Sequence, residues 1–174
     1  MRAAPCVLAK AAALALASAS VTAFAADVPG PSCSGFGYRV VRGRVGDALD
    51  RTIANQLARE DMDYIVAPFA TDNERRGLWQ TEFWGKYMHS AVPFWQATGC
   101  ARLKSRIDDG IANVLSAQLQ NGYIGNYRED RRSSLESWDV WGIKYTMLGL
   151  LHYYDATKSE KVLDACRRLC DYLI

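Results

Sequence analysis

The sequence predicts an all-α protein in which helical hairpins are repeated in tandem behind a leading helix. Two four-residue stretches, EFWG at residues 82–85 and DVWG at residues 139–142, share the order acid, apolar residue, Trp, Gly. A Lys-Tyr pair, an apolar helical pattern, an aromatic doublet and Ala-Thr follow each stretch, and then a second amphipathic segment. The repeat period of about 57 to 59 residues is typical of stacked hairpins that bury a shared core. Strand-like alternation is scarce along the chain.

The apolar spacing places the elements in order. The leading helix is predicted from Val45, Leu49, Ile53 and Leu57, which recur at every fourth residue, and the acidic residues between 60 and 63 help to end it. A loop is expected from about residue 68 to residue 77, because this stretch lacks helical periodicity.

The first full hairpin is predicted on both sides of Gly99, which suits the end of a helix. Pro93 is expected to kink or shorten the first of its two helices. The return helix is expected to close at Asn121-Gly122, where a polar loop to residue 137 begins. The inward faces are predicted to carry Trp84, Tyr87, Met88, Ala91 and Trp95 on the first helix and Leu103, Ile107, Ile111, Val114, Leu115 and Leu119 on the second.

The second hairpin repeats this plan, with Ser159 expected to cap its return helix. Its inward faces are predicted to carry Trp141, Tyr145, Leu148 and His152 on the first helix and Val162, Cys166, Leu169 and Leu173 on the second.

The first 26 residues have the form of a cleaved secretory signal, with Arg2 and Lys10 before an Ala/Leu-rich run and small residues at 23–26. We therefore expect a secreted or periplasmic protein with an extended leader at 27–44 and a helical domain at 45–174. No later apolar run approaches the roughly 20 residues of a membrane span, so no membrane partner is expected. The chain stops at Ile174 within a helical pattern, which we interpret as the end of an N-terminal fragment.

The positive and negative charges of the chain are nearly balanced. The chain has 21 Lys and Arg against 19 Asp and Glu, and the signal segment carries two of the basic residues. A nearly neutral mature chain gives no reason to expect nucleic acid as a partner.

Four cysteines lie beyond the signal segment: Cys33, Cys100, Cys166 and Cys170. Three complete disulfide pairings are open to them, and the sequence does not rank these. Cys166 and Cys170 stand four apart on a predicted helix, which suits half of a soft-metal site. Their register with neighbouring leucines favours small core residues instead.

The matching acids Glu82 and Asp139 are predicted to lie at the same end of the stacked hairpins, near helix N-termini that favour a carboxylate and lower its pKa. With Trp79, Trp84, Trp138 and Trp141 beside them, they suit a carbohydrate site, because aromatic faces stack on sugar rings and acids accept hydroxyl hydrogen bonds. The alternative is that the acids are helix caps and that Trp84 and Trp141 are core residues. His89 and His152 look isolated, and the charged run at 128–132 suits a solvated loop.

Three ordered motifs carry a resemblance to a known family: WQTEFWGKY at 79–87, QLQNGYIGNY at 118–127 and WDVWGIKY at 138–145. From about residue 68 to its end the chain resembles glycoside hydrolase family 127, the β-L-arabinofuranosidase-like enzymes. The resemblance implies an (α/α)6 toroid and retaining, exo-acting hydrolysis of arabinofuranosides. It also implies a zinc-bound cysteine nucleophile and a glutamate acid/base in later hairpins, to which Cys166 and Cys170 do not correspond.

One motif departs from the family pattern. Characterised arabinofuranosidases carry His-Glu-x-Tyr where this chain has Trp138-Asp139-Val140-Trp141, and that histidine contacts the sugar. Asp139 can stand for the acid of the motif, but Trp138 does not replace an imidazole donor. The resemblance therefore leaves the identity of the sugar open.

Together these features predict the N-terminal part of an (α/α)6 glycosidase that supplies one wall of a sugar pocket. No catalytic residue and no cofactor are expected within this chain, which should be inactive alone, and the partner is an oligosaccharide or glycan. The alternative is a non-catalytic α-hairpin module that binds glycan or protein. The predicted substrate-binding residues are Glu82, Trp84, Tyr123, Asn126, Trp138 and Asp139.

Overall fold

A computed structural model describes residues 41–70, 79–132 and 138–174. The signal segment 1–26, the leader as far as residue 40, Cys33 and most of the expected loop at 68–77 lie outside the described residues. Within these ranges all regular structure is helical, which confirms the all-α prediction. The helices are α1 Gly43–Thr52, α2 Met62–Val66, α3 Thr81–Thr98, α4 Ala101–Ser116, α5 Asp139–Thr157 and α6 Glu160–Leu173.

The acidic run after the leading helix has a second role that the sequence reading missed. Helix α1 continues through a π-helical turn at Ile53–Leu57, and the Asp61 carboxylate then accepts a 3.0 Å hydrogen bond from the Tyr64 amide. This bond caps α2, so a short helix stands where only a helix end was predicted. Of the predicted apolar stripe on the leading helix, Ile53 is buried whereas Val45 is 64% exposed.

The first hairpin, α3 with α4, follows the prediction closely. Gly99 adopts the left-handed conformation (φ 65°) and its amide donates to the Trp95 carbonyl at 2.7 Å, which ends α3. Pro93 does not shorten α3, which runs on to Thr98. The predicted face of α3 is buried, as are Leu103, Ile107, Ile111 and Val114 of α4. Leu119 was predicted inward, but it follows the end of α4 and is 43% exposed.

The predicted inward face of α5 is wrong. Trp141 and Leu148 are exposed, and Tyr145 and His152 are only half-buried. The buried residues of this helix are instead Asp139, Gly142, Ile143, Thr146, Gly149 and Leu150. Because α3 packs against the glycine-bearing face of α5, the larger side chains of α5 lie at the edges of the contact or outside it.

Helix α6 closes the second hairpin after Lys158, whose left-handed conformation (φ 55°) ends α5. Ser159 occupies the N-cap position of α6, but its side chain forms no capping hydrogen bond. Val162, Cys166 and Leu169 are buried as predicted, whereas Leu173 is 40% exposed. Cys100, Cys166 and Cys170 are free thiols. Burial and the nearby Cys170 raise the pKa of Cys166 to about 11, which suits a core residue.

Helices α3 and α5 run in parallel, in close contact along their lengths. Near their starts Gly142 lies against the Thr81 side chain, and one turn further Gly85 lies against the Tyr145 backbone. Added methyl groups would overlap Thr81 Oγ1 and the Tyr145 carbonyl oxygen, respectively. Gly85 and Gly142 are the glycines of the two repeated stretches. The glycine that the repeats share therefore lies where the two helices approach each other closely.

The segment between the hairpins is held against α6. The Gln118 side chain donates to the Ala165 carbonyl at 3.0 Å, and Arg168 donates to the Leu119 carbonyl at 2.8 Å. Gly122 has a φ of 94° and lies against the Arg168 backbone. These contacts position residues 123–127 beneath the start of α5. In the described parts of the chain, no helix has the length and apolar character needed to cross a membrane.

Candidate functional site

The parallel packing of α3 and α5 brings the first turns of the two repeats together. Trp141 Nε1 donates a hydrogen bond to Glu82 Oε2, and Lys86 Nζ donates to Glu82 Oε1 at 2.9 Å. The acid of the first repeat is therefore held by the tryptophan of the second. This contact spans 59 residues of sequence.

The surroundings of Glu82 favour its ionised form. Partial burial acts to raise the pKa of Glu82, but hydrogen bonds from Trp141 and Lys86 and the charges of Lys86 and Lys144 outweigh it. The pKa of Glu82 therefore lies below its usual value. Such a carboxylate is suited to accepting hydrogen bonds at neutral pH.

Aromatic rings and lysines surround this carboxylate. The Trp138 ring is edge-on to Trp141 at 6.1 Å between centroids, and Trp141 is edge-on to Tyr145 at 5.3 Å. Lys144 Nζ lies 3.4 Å from the centroid of the Trp141 ring. We name this group, Glu82, Lys86, Trp138, Trp141, Lys144 and Tyr145, the rim cluster.

Asp139 lies beneath the rim cluster and is 2% exposed. The Tyr123 hydroxyl donates to Asp139 Oδ1 at 2.7 Å and accepts from the Tyr127 amide at 3.0 Å. The Tyr127 hydroxyl in turn accepts from the Trp138 amide at 3.0 Å. Burial and the adjacent Asp139 raise the pKa of Tyr123, so this phenol stays protonated and keeps donating. The network ties the loop before α5 to the backbone of Trp138.

The structure places the six predicted site residues at different depths. Trp138 is 53% exposed and Glu82 lies at the surface edge with 9% exposure. The other four, Trp84, Tyr123, Asn126 and Asp139, are at most 2% exposed. Trp84 packs in the core, edge-on to Phe69, and its indole nitrogen has no hydrogen-bond partner within the described ranges. In this arrangement Trp84 presents no face to a ligand.

Four members of the rim cluster are absent from the predicted substrate-binding residues: Lys86, Trp141, Lys144 and Tyr145. The signal was present, because a Lys-Tyr pair follows each repeated stretch. Tyr145 was assigned to the core from apolar spacing alone. Both lysines project from the same end as Glu82, since the ammonium groups of Lys86 and Lys144 lie 5.1 and 4.2 Å from the Tyr145 ring centre.

The comparison with protein families identifies the chain. The model of the β-L-arabinofuranosidase GH127 catalytic domain matches residues 46–174, which is well over half of the sequence. The chain belongs to this family. Its helical hairpins accordingly form part of an (α/α)6 toroid, and the protein is a glycoside hydrolase family member. Neither the comparison with curated proteins nor that with solved structures found a match.

The GH127 chain also has a histidine pair that sequence reasoning missed. His89 Nδ1 of α3 and His152 Nε2 of α5 are 2.7 Å apart, with the rings edge-to-face at 4.6 Å between centroids. The interpretation of these residues as isolated is wrong, because the parallel packing joins them across 63 residues of sequence. Burial and the neighbouring His89 lower the pKa of His152, although Asp155 acts in the opposite direction.

The zinc site that the family resemblance implies is expected in later hairpins, not among the residues described here. In residues 41–70, 79–132 and 138–174, no three His, Cys, Asp or Glu side chains lie close enough to hold one ion. The histidine pair supplies only two ligands. No step is therefore assigned to a metal in this chain.

A separate groove of about 630 Å³ opens on the other flank of α3. It lies between α3 and the segment from α1 to α2, and Tyr64, Phe83 and Tyr87 contribute to its lining. Lys86 lines this groove as well as belonging to the rim cluster. The buried carboxylate network is on the α5 side, so the groove and that network are distinct.

Proposed function

We propose that this GH127 chain supplies one wall of the sugar pocket of a glycosidase acting on non-reducing-end β-L-arabinofuranosides or related plant-type glycans. The observation that carries the proposal is the parallel contact of α3 and α5, which sets an exposed aromatic pair beside a hydrogen-bonded carboxylate. Carbohydrate sites combine these two features, because sugars have apolar C–H faces and polar edges. Family membership supports the same reading.

The rim cluster is suited to binding sugar. Trp138 and Trp141 are 53% and 39% exposed, so both rings have surface free to stack on a sugar. Glu82 already accepts hydrogen bonds from Lys86 and Trp141. A carboxylate has about four lone-pair sites, so Glu82 keeps capacity to accept from sugar hydroxyls.

The electrostatics of Glu82 favour a binding role over a proton-transfer role. A general acid in a glycosidase needs a raised pKa, so that it is protonated before the leaving group departs. The pKa of Glu82 is lowered instead. We assign Glu82 to orienting the substrate, and we place the bond-breaking groups outside the hairpins described here, as the family resemblance implies.

Tyr123, Asn126 and Asp139 support the pocket from below. All three are buried, and the network of Tyr123 with Asp139 and Tyr127 fixes the backbone of Trp138. A buried hydrogen-bond network of this kind rigidifies the groups it joins. The expected export of the protein through its signal segment suits an enzyme that meets glycans outside the cytoplasm.

Titration calorimetry of the chain with a β-L-arabinofuranosyl disaccharide tests the proposal. We expect binding without release of arabinose, and about a threefold to tenfold weaker affinity for Trp138→Ala, because a stacking contact is lost. Tyr64→Ala is the matched control, since Tyr64 is an equally exposed aromatic residue, at 53%, that lies in the groove on the other flank of α3 and is not a member of the rim cluster. Absence of binding, or equal loss in both variants, would contradict the proposal.

A further inference from the structure

The rim cluster contains more positive than negative charge. Glu82 is its one carboxylate, and it is paired with Lys86 at 2.9 Å. Lys144 forms no ion pair or hydrogen bond with any residue in the described parts of the chain, and its ammonium group instead lies over aromatic rings. Lys144 is therefore the lysine of the cluster that has no ion pair within the described ranges.

The two lysines converge on one ring from different helices. Lys86 of α3 and Lys144 of α5 place their ammonium groups 5.1 and 4.2 Å from the centre of the Tyr145 ring. Contact with ring faces stabilises these cations only modestly. Two like charges near one ring repel each other, and Glu82 contacts only one of them. An anion placed between the lysines would relieve that repulsion.

The two lysines also act on the carboxylate of Glu82. The charges of both Lys86 and Lys144 contribute to lowering the pKa of Glu82. The charge of Lys144 therefore reaches Glu82 across the cluster, although the two side chains form no ion pair.

We propose that the glycan bound at the rim cluster carries a carboxylate on one of its sugars, so that the substrate class is a uronic-acid-containing glycan. The sugar carboxylate lies between Lys86 and Lys144, and the sugar ring stacks on Trp138 or Trp141. This inference rests on the proposed function, because it names the substrate class of the same pocket.

A carboxylate suits Lys144 better than a neutral group does. A neutral sugar leaves the ammonium group of Lys144 over aromatic rings without an ion pair, whereas a sugar carboxylate supplies one. Lysine offers three donors on a compact ammonium group, which suits a carboxylate that approaches from the solvent side.

The test compares a galacturonic acid trisaccharide with its methyl ester by titration calorimetry on the full chain. The ester keeps the shape of the sugar and removes its charge, so the comparison needs no variant to fold. We expect the acid to bind about fivefold or more tightly than the ester at low salt, with the difference shrinking as salt rises. Equal affinities for acid and ester would overturn the inference.

Lysine variants test whether the preference for the acid over its ester arises at the rim cluster. Lys144→Gln should abolish the preference for the acid, whereas Lys161→Gln, an exposed lysine on α6, should retain it. Loss of the preference in both variants, or in neither, would show that the carboxylate does not bind at the rim cluster. If a neutral β-L-arabinofuranosyl disaccharide binds and the acid shows no advantage, this inference fails while the proposed function stands. If neither sugar binds, the proposed function fails as well.

Discussion

Asp139 is a buried carboxylate whose hydrogen bond from Tyr123 stabilises it in place. Its Oδ1 accepts from the Tyr123 hydroxyl at 2.7 Å, and that hydroxyl also accepts from the Tyr127 amide. Removing one hydroxyl therefore disturbs two buried polar groups at once. Leaving a buried polar group without its partner costs about 1–3 kcal/mol, and more when the group is charged.

Tyr123→Phe is therefore expected to lower the free energy of unfolding by about 1–3 kcal/mol in urea denaturation. Tyr172→Phe is the matched control, because its half-buried ring packs on Tyr123 at 5.1 Å and its hydroxyl forms no hydrogen bond within the described residues. Equal stability of the two variants would show that the Tyr123 hydroxyl contributes nothing.

At the scale of residues, the sequence predicted which acids share one end of the structure but not what they contact. Glu82 and Asp139 could be placed at helix starts from local patterns. The partners that decide their properties, Trp141 and Tyr123, come from long-range packing, which no local pattern encodes. This is why one predicted site acid lies at the surface edge and the other is 2% exposed.

At the scale of elements, the contact between α3 and α5 depends on small residues. Gly85 lies against the Tyr145 backbone, and Gly149 lies against Trp84 and Met88. Gly85→Ala would gain about 1 kcal/mol of helix propensity but would overlap a backbone carbonyl oxygen that cannot move aside like a side chain. Overpacking costs about 1–3 kcal/mol and occasionally more.

Gly85→Ala is therefore expected to destabilise the protein by about 1–2 kcal/mol in urea denaturation followed by circular dichroism, because the overlap is with backbone and its cost lies at the upper end of the range for overpacking. Ser90→Ala, at an exposed position of the same helix, serves as the control and should change stability little. A stable Gly85→Ala variant would mean that the helices can separate without cost at this point.

This packing also explains which helix face the sequence predicted correctly. The face of α3 was correct because its large apolar residues point into the core formed with α4 and the preceding segment. The predicted face of α5 was wrong because the apolar periodicity is dominated by large residues such as Trp141 and Leu148. The close parallel contact with α3 needs small residues instead, so Gly142 and Gly149 lie there. Hydrophobic spacing therefore predicts which helix face packs in a core. It does not predict a helix–helix contact that depends on glycines, which have no side chain.

The histidine pair makes the α3–α5 contact sensitive to pH. The pKa of His152 is lowered in the folded protein by burial and by His89, from a usual value of 6.5. The unfolded chain then binds more protons than the folded chain between these two pKa values. Stability should be fully present above about pH 6.5 and should decline as the pH falls toward the lowered pKa of His152.

We expect the thermal midpoint of the protein to fall between pH 7.5 and about 5.5 by more than that of His152→Gln, which has no titrating ring at this position. Comparing the two proteins cancels the contribution of the remaining titratable groups. Parallel pH profiles for the protein and the variant would contradict a role of the pair in stability.

At the scale of the whole molecule, α5 has an apolar flank that faces away from α3. Val140, Leu148 and Leu151 are each between 37% and 42% exposed and recur at helical spacing along one side of α5. In an (α/α)6 toroid, an inner helix has neighbours on both sides. Exposed apolar stripes of this kind favour association, because each contact removes apolar surface from water.

We therefore expect the 174-residue chain to self-associate through this flank, with a weight-average mass in sedimentation velocity that rises with concentration. The double variant Leu148→Gln and Leu151→Gln should shift the distribution toward monomer, because it makes the stripe polar. The double variant Leu119→Gln and Leu173→Gln is matched in exposure, at 43% and 40%, but lies on other elements and should still associate. A chain that stays monomeric at all concentrations, or that responds equally to both double variants, would show that the flank of α5 does not drive association.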